Sequence, residues 1–331
     1  MAVEFAPNEL ADLTSAIRMA LSKWDMPLDA SVTLLNVSEN ATFRIEDNGH
    51  AIVLRVHRLN YHDADEIRSE IAWIDALRRD AVVETPAPLA GRNGAFVQTL
   101  ESPTGRPARR AVAFAFAPGR EPTPGADLTD WFGTLGALTA RMHGHAQAWV
   151  RPRDFRRKTW DFDAMFGERP YWGPWRAGVG LDAAGKAVME RALQLIARRL
   201  ERFGRSPERF GLIHADLRLA NLLVDSERLR VIDFDDCGIS WRLYDFATAV
   251  SFFEHEAIVE ELLDSWLAGY RTVASLPQED ADEMPIFIAM RRFLLVAWIA
   301  SHPEVPIAQE LGATYTMGAL DMAEQLLSAY T

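Results

Sequence analysis

The hydrophobic rhythm of the chain changes most broadly across the turn residues from Pro118-Gly119 to Pro124-Gly125. Before that stretch, short apolar runs bounded by turn signals read mainly as strands. After it, apolar residues recur at the three-and-four spacing of helices. This asymmetry restricts the fold to the α+β class, with a strand-rich first lobe and a mainly helical second lobe. The expected boundary lies at residue 118, which gives domains 1–118 and 119–331.

In the first lobe, Ser31 to Asn36, Thr42 to Glu46 and Ala51 to His57 read as strands. The last two flank Asp47-Asn48-Gly49-His50, whose Asn-Gly favours the positive φ angles of a tight hairpin. Ile67, Ile71, Ile74 and Leu77 then fall at helical spacing, predicting a helix over 63–79. Thr85-Pro86-Ala87-Pro88 stops it, because proline lacks the amide donor. Ala95 to Leu100 and Ala111 to Phe116 are two further strand candidates, with Asn93-Gly94 before the first. In the second lobe, Leu128, Trp131, Leu135, Leu138 and Met142 mark one buried helix face, and Leu193, Ile196, Leu200 and Phe203 another. Three or four more helices are expected in the last ninety residues.

Several functions fall away on composition. A chain of 331 residues that is 49% apolar can bury about three quarters of its surface, so it needs no cross-link to fold. Its one cysteine, Cys237, makes neither an internal disulfide nor a multi-thiolate zinc site. The longest uninterrupted apolar run, Phe293 to Ala300, is eight residues and does not span a bilayer. The first ten residues, with Glu4, Asn8 and Glu9, lack the basic-then-apolar order of a signal peptide. A net charge of −12 argues against general nucleic-acid binding. The expectation is a soluble, cytoplasmic protein with neither nucleic acid nor membrane among its partners.

The chemistry concentrates in a short strand-rich island over 210–236. It contains His214-Ala215-Asp216 and, five residues after Asp216, Asn221; Val231-Ile232-Asp233-Phe234-Asp235-Asp236 follows. Apolar runs bracket these polar groups, which places them at strand ends and in tight loops. A hairpin from Leu222 to Ile232 would return the chain so that Asp233 meets Asp216 and Asn221. A hydroxyl base, an amide oxygen and a carboxylate around one point suit phosphoryl transfer. Asp216 would accept the substrate hydroxyl proton, while Asn221 and Asp233 hold magnesium over the nucleotide phosphates.

His-x-Asp-x-x-x-x-Asn followed by Ile-Asp-Phe-Asp-Asp resembles the aminoglycoside phosphotransferase and choline kinase superfamily, distant relatives of protein kinases. The resemblance covers most of the chain and implies a two-lobe protein-kinase-like fold that uses ATP and Mg2+. It implies that Asp216 is the catalytic aspartate and that His214 orients its loop. It makes Asn221 and Asp233 the metal ligands, and Asp245, in Tyr244-Asp245-Phe246-Ala247, the brace of that loop at a helix start. The phosphate-covering loop falls on Asn36 to Thr42, with Ser38 and Asn40 as candidate nucleotide contacts. The stretch from Ala113 to Gly119, with Phe116, corresponds to the hinge beside adenine.

One position departs from the superfamily pattern. A lysine is expected on the strand after the phosphate loop, and Arg55 stands there. The chain has only three lysines, and Lys23, Lys158 and Lys186 all lie elsewhere. Arg55 would then pair with Glu70 on the following helix, or with Glu66 one turn earlier. Between the lobe-crossing helix and the island, Trp149, Trp160, Trp172 and Trp175 accompany Arg151, Arg153, Arg156, Arg157 and Lys158. The resemblance makes this an aromatic, charged wall for a substrate; the alternative is a packed loop with a solvated basic rim. Its Trp-Asp and Trp-Gly-x-Trp patterns look most like type II homoserine kinase, hydroxylysine kinase and stress response kinase A. The expected function is transfer of the γ-phosphate of ATP to a hydroxyl of a small metabolite, an amino acid or amino alcohol. A Ser/Thr protein kinase and a nucleotide-binding pseudokinase are the alternatives.

Overall fold

A computed structural model describes residues 5–123 and 128–330. The Pro124-Gly125 end of the expected hinge, and Glu4, lie outside the described residues. The chain divides into two compact units. The first comprises the residues through Ala81 with Thr85–Pro118 and Arg151–Arg157; the second takes Val82–Glu84, Gly119–Val150 and the rest from Lys158.

The first unit contains helix α1 (Pro7–Ala20), strands β1 (Ser31–Val37), β2 (Asn40–Asp47) and β3 (His50–His57), and helix α2 (Ala64–Arg79). The short strands β4 (Pro88–Leu89) and β5 (Gln98–Leu100) and the longer β6 (Arg109–Ala115) complete it. The antiparallel sheet runs β1-β2-β3-β6-β4, with β5 also on β6. The β2–β3 turn has Asn48 at φ 46° and Gly49 at φ 80°, the two positive angles its Asn-Gly favours. Ala41, Phe43 and Ile45 of β2 and Ile52, Leu54 and Val56 of β3 point to one face, where Leu13, Ile17 and Ala20 of α1 join them in the core. Strand alternation sends Arg55 to the opposite face. Helix α2 begins in a capping box: the Asp63 side chain accepts from the Asp65 and Glu66 amides, and Glu66 reaches back to the Asp63 amide.

The second unit contains α3 (Leu128–Ala148), α4 (Phe162–Phe166), α5 (Ala183–Phe203), β7 (Phe210–Ile213), β8 (Leu222–Asp225), β9 (Arg228–Val231) and β10 (Gly238–Trp241). Then follow α6 (Tyr244–Ala249), α7 (Ile258–Arg271), α8 (Gln278–Ala281), α9 (Met284–Ser301) and α10 (Pro306–Ala329). The faces expected on α3 and α5 are buried, except that Trp131 is only half-covered. Helix α9 is buried nearly all round. By length and composition the stretch Gln278–Ser301 matches a membrane span, but 83% of its apolar window is buried inside the fold. Its Arg291 and Arg292 each meet a carboxylate.

Several expectations need correcting. Helix α1 precedes the first expected strand, where no helix was expected, and five helices rather than three or four follow Asp233 among the described residues. The strand expected from Ala95 begins only at Gln98. Asn93 Oδ1 accepts from the Ala95 amide at 3.0 Å and from Gln98 Nε2 at 2.8 Å, which holds the intervening residues in a turn.

Candidate active site

Strand β7 ends at Ile213, and the chain turns at Ala215, whose φ is 65°. A left-handed alanine is costly, so the loop needs outside support. Asp245 supplies it: its carboxylate accepts from the Ala215 amide at 2.7 Å and the His214 amide at 3.3 Å. Thr248, one turn along α6, accepts from the Leu217 amide at 2.8 Å. Three backbone amides of the loop, those of His214, Ala215 and Leu217, are thereby tied to one helix.

His214 is buried, accepts from the Asp216 amide through Nδ1 (3.3 Å) and donates Nε2–H to the Ile232 carbonyl (3.1 Å). This is the neutral tautomer; burial pulls its pKa down from the ordinary 6.5, although three nearby aspartates oppose that. His214 therefore joins the loop to the end of the following hairpin. That hairpin, β8–β9, returns the chain as expected, because the Ile232 amide donates to the Asn221 carbonyl at 2.9 Å. Asp233, next in sequence, has φ 58°.

The Asn221 side chain gives its Nδ2 hydrogens to the Asp216 carbonyl (2.8 Å) and to Asp216 Oδ2 (2.7 Å). This fixes the amide orientation and leaves Oδ1 as the atom available to a cation. Asp216 Oδ1 accepts from Arg291 Nη2 at 2.6 Å, and Oδ2 lies 3.3 Å from Arg218 Nε. Burial pushes the Asp216 carboxyl up, but Arg291 and Arg218 outweigh it and hold the pKa below the ordinary 3.8. Arg291 is itself held by Ser251 Oγ at 2.9 Å and lies 5.4 Å from the Trp172 ring centre. Sequence reasoning missed Arg291, which reaches Asp216 from α9, 75 residues away. His143 Nε2 donates to Asp245 Oδ2 at 2.9 Å and Nδ1 accepts from Tyr270 Oη at 3.1 Å, which positions the brace.

In the first unit, Arg55 is 4% exposed and Glu70 0%. Arg55 Nη2 lies 2.7 and 2.6 Å from the two Glu70 oxygens, and the guanidinium stands 5.3 Å from the Phe114 ring centre. Glu70 is thus the partner; Glu66 is engaged in the capping box. Ser38 and Glu39 form the β1–β2 turn, with Arg58 donating to their carbonyls at 2.9 and 3.3 Å. Asn40 is turned inward and accepts from the Arg58 amide at 3.3 Å, so its side chain serves the loop and does not face outward. Phe116 is exposed, with Arg44 4.6 Å from its ring centre.

The expected aromatic and basic wall resolves differently. Trp160, Trp172 and Trp175 are buried. Arg156 pairs with Asp63, and Arg157 donates to the Glu66 carbonyl at 2.9 Å. These two arginines therefore tie their segment to the start of α2 instead of rimming a pocket. Cys237 is fully buried.

The profile described as the phosphotransferase enzyme family matches residues 32–280. Amicoumacin kinase of Bacillus subtilis (strain 168) is 24% identical over 278 residues, 80% of this chain and 78% of its own length. Among solved structures, the microcompartment-associated aminopropanol kinase superposes with a TM-score of 0.88 at 44% identity, covering 96% of this chain and 98% of that one. Amicoumacin kinase hAmiN, in complex with AMP-PNP, Ca2+ and Ami, superposes with a TM-score of 0.76 at 21% identity, covering 96% of each chain. The chain belongs to the phosphotransferase enzyme family, within the aminoglycoside phosphotransferase and choline kinase superfamily with its kinase-like fold, and is a phosphotransferase enzyme.

Proposed function

We propose that this phosphotransferase moves the γ-phosphate of ATP to the hydroxyl of a small amino alcohol. The observation that carries the reading is the Asp216–Asn221 pair. One carboxylate is held anionic by Arg291 and Arg218, and one amide is oriented so that its oxygen is available to a cation. The amino alcohol is favoured over the amino acid by the 44% identity to a protein named aminopropanol kinase.

Asp216 would accept the hydrogen bond of the acceptor hydroxyl and orient its oxygen. A carboxylate with a lowered pKa is a weak base. That suits a loose phosphoryl-transfer transition state, which demands little proton removal at the start. Asn221 Oδ1 and the Asp233 carboxylate are hard oxygen donors that fit magnesium, which when bound neutralises charge on the nucleotide phosphates. Ser38 and its neighbouring amides, the Arg55–Glu70 pair and the segment around Phe116 are assigned to the nucleotide.

The segment between Asp233 and Asp245 also bears on the protein-kinase alternative. It is short and includes β10, which pairs with β7, and this favours a small acceptor over a docked peptide. Coupled ATP-consumption assays with aminopropanol, ethanolamine, hydroxylated amino acids and a Ser/Thr peptide library test the reading. Aminopropanol should give the highest kcat/KM, and Asp216→Asn should lower turnover about 10²- to 10⁴-fold while ATP–magnesium binding persists. Turnover of peptides alone, or none without or with magnesium, would reject it in favour of a protein kinase or a pseudokinase.

A further inference from the structure

Behind the brace of the catalytic loop, the second unit contains a cavity of about 310 Å3. Its wall includes Arg209, Arg242, Leu243, Tyr270, Leu276 and Asp280. The two guanidinium groups differ in their electrostatic state. Arg209 is neutralised, with Nη2 2.6 Å from Asp280 Oδ1 and Nε 3.2 Å from Oδ2. Arg242 donates to the Pro207 carbonyl at 2.7 Å, lies beside the Tyr270 hydroxyl and makes no ion pair among the described residues. The carboxylate of Glu208, exposed on the rim, acts on it only at longer range. A half-buried guanidinium without a counter-ion, next to the buried Leu243 and Leu276, suits a carboxylate on an apolar stem.

Two routes connect this wall to Asp245. The first is the Tyr270–His143–Asp245 series of hydrogen bonds, at 3.1 and 2.9 Å. The second is the backbone of Arg242 itself, whose carbonyl accepts from the Asp245 amide at 3.2 Å. We infer that the cavity is an effector site for a small organic carboxylate, whose pairing with Arg242 slows phosphotransfer by loosening the hold of Asp245 on the catalytic loop. The inhibitory half rests on the role proposed above for Asp216. Its sign follows from Ala215: a left-handed alanine relaxes when its brace weakens, and Asp216 moves with it.

Calorimetry of the full chain with hydrocinnamate, without nucleotide or acceptor, should show saturable binding, and neutral hydrocinnamamide should not bind. Arg242→Gln should weaken hydrocinnamate about tenfold or more, and Arg242→Lys should retain part of the affinity. At saturation the Ala215 amide should exchange with solvent faster, and turnover should fall about fivefold. Tyr270→Phe, which keeps the ring but cuts the link to His143, should bind hydrocinnamate and respond less in exchange. Absence of binding, equal binding by Arg242→Gln, or saturation that leaves Ala215 exchange unchanged would overturn the inference. Binding and exchange need no acceptor, so these outcomes are independent of whether the proposed acceptor class is right.

Discussion

Burying Arg55 strips a guanidinium of its water, and the cost is offset by two short bonds to Glu70 and by the face of Phe114. Arginine suits this position in a way lysine does not, because its planar fork can stack on a ring while it grips a carboxylate. Removing one partner should therefore do more harm than removing both. Arg55→Met leaves Glu70 buried and charged, and should cost about 3–5 kcal/mol of stability. The double change Arg55→Met with Glu70→Met should recover most of that loss in urea unfolding. If Arg55 also serves the nucleotide, the double variant should still show a raised KM for ATP, and Arg55→Lys should fall between it and the native chain. A double variant with native ATP kinetics would leave Arg55 as a purely structural residue.

Helices α3 and α7 meet so closely that a Cβ on Gly136 would lie 2.0 Å from the Trp266 carbonyl oxygen, and one on Gly269 1.9 Å from that of Gly133. This approach brings His143 of α3 within reach of Tyr270 of α7. Gly136→Ala must push the helices apart, at about 1–3 kcal/mol, and should also lower turnover, because His143 lies two turns along the same helix. Gly144→Ala meets nothing within 4 Å and is the control, leaving both melting temperature and turnover near native. The elements of the site were unequally legible in the sequence. The Asp216–Asn221–Asp233 loop could be read because its members are joined by a short hairpin, and Glu70 only through the family resemblance, which left Glu66, one turn earlier on the same helix face, open as the alternative. Arg291 could not, since an arginine in an apolar run carries no local sign of the partner 75 residues away. Strand β10 is four residues long and is defined by pairing with the distant β7, so no local period reveals it. Helix α1 did carry a signal, in Leu10, Leu13, Ile17 and Ala20, but its alanines made that apolar stripe faint.

At the scale of the whole molecule, two imidazoles are kept neutral in the interior to hold one loop. Burial lowers the pKa of His143 and of His214 from 6.5, against the pull of Asp245 on both. The unfolded chain takes up a proton at each near the ordinary value, whereas the folded chain does so only at lower pH. Below about pH 6.5 the unfolded state therefore binds more protons, and stability falls as pH drops toward the depressed folded values. Above that pH the contribution is complete and flat. Each site can add up to about 1.4 kcal/mol per pH unit to the slope, so the pair can add about 2.7. Asp216, with its pKa lowered below 3.8, contributes stability above that value and loses it at still lower pH, so the two windows separate. Urea unfolding between pH 8 and 5 should show a plateau and then a decline, and His143→Gln should remove about half of that decline. A curve that stays flat from pH 8 to 5 would mean that both imidazoles titrate normally inside the fold. The Nε2–H of His214 to the Ile232 carbonyl would then no longer identify a neutral ring.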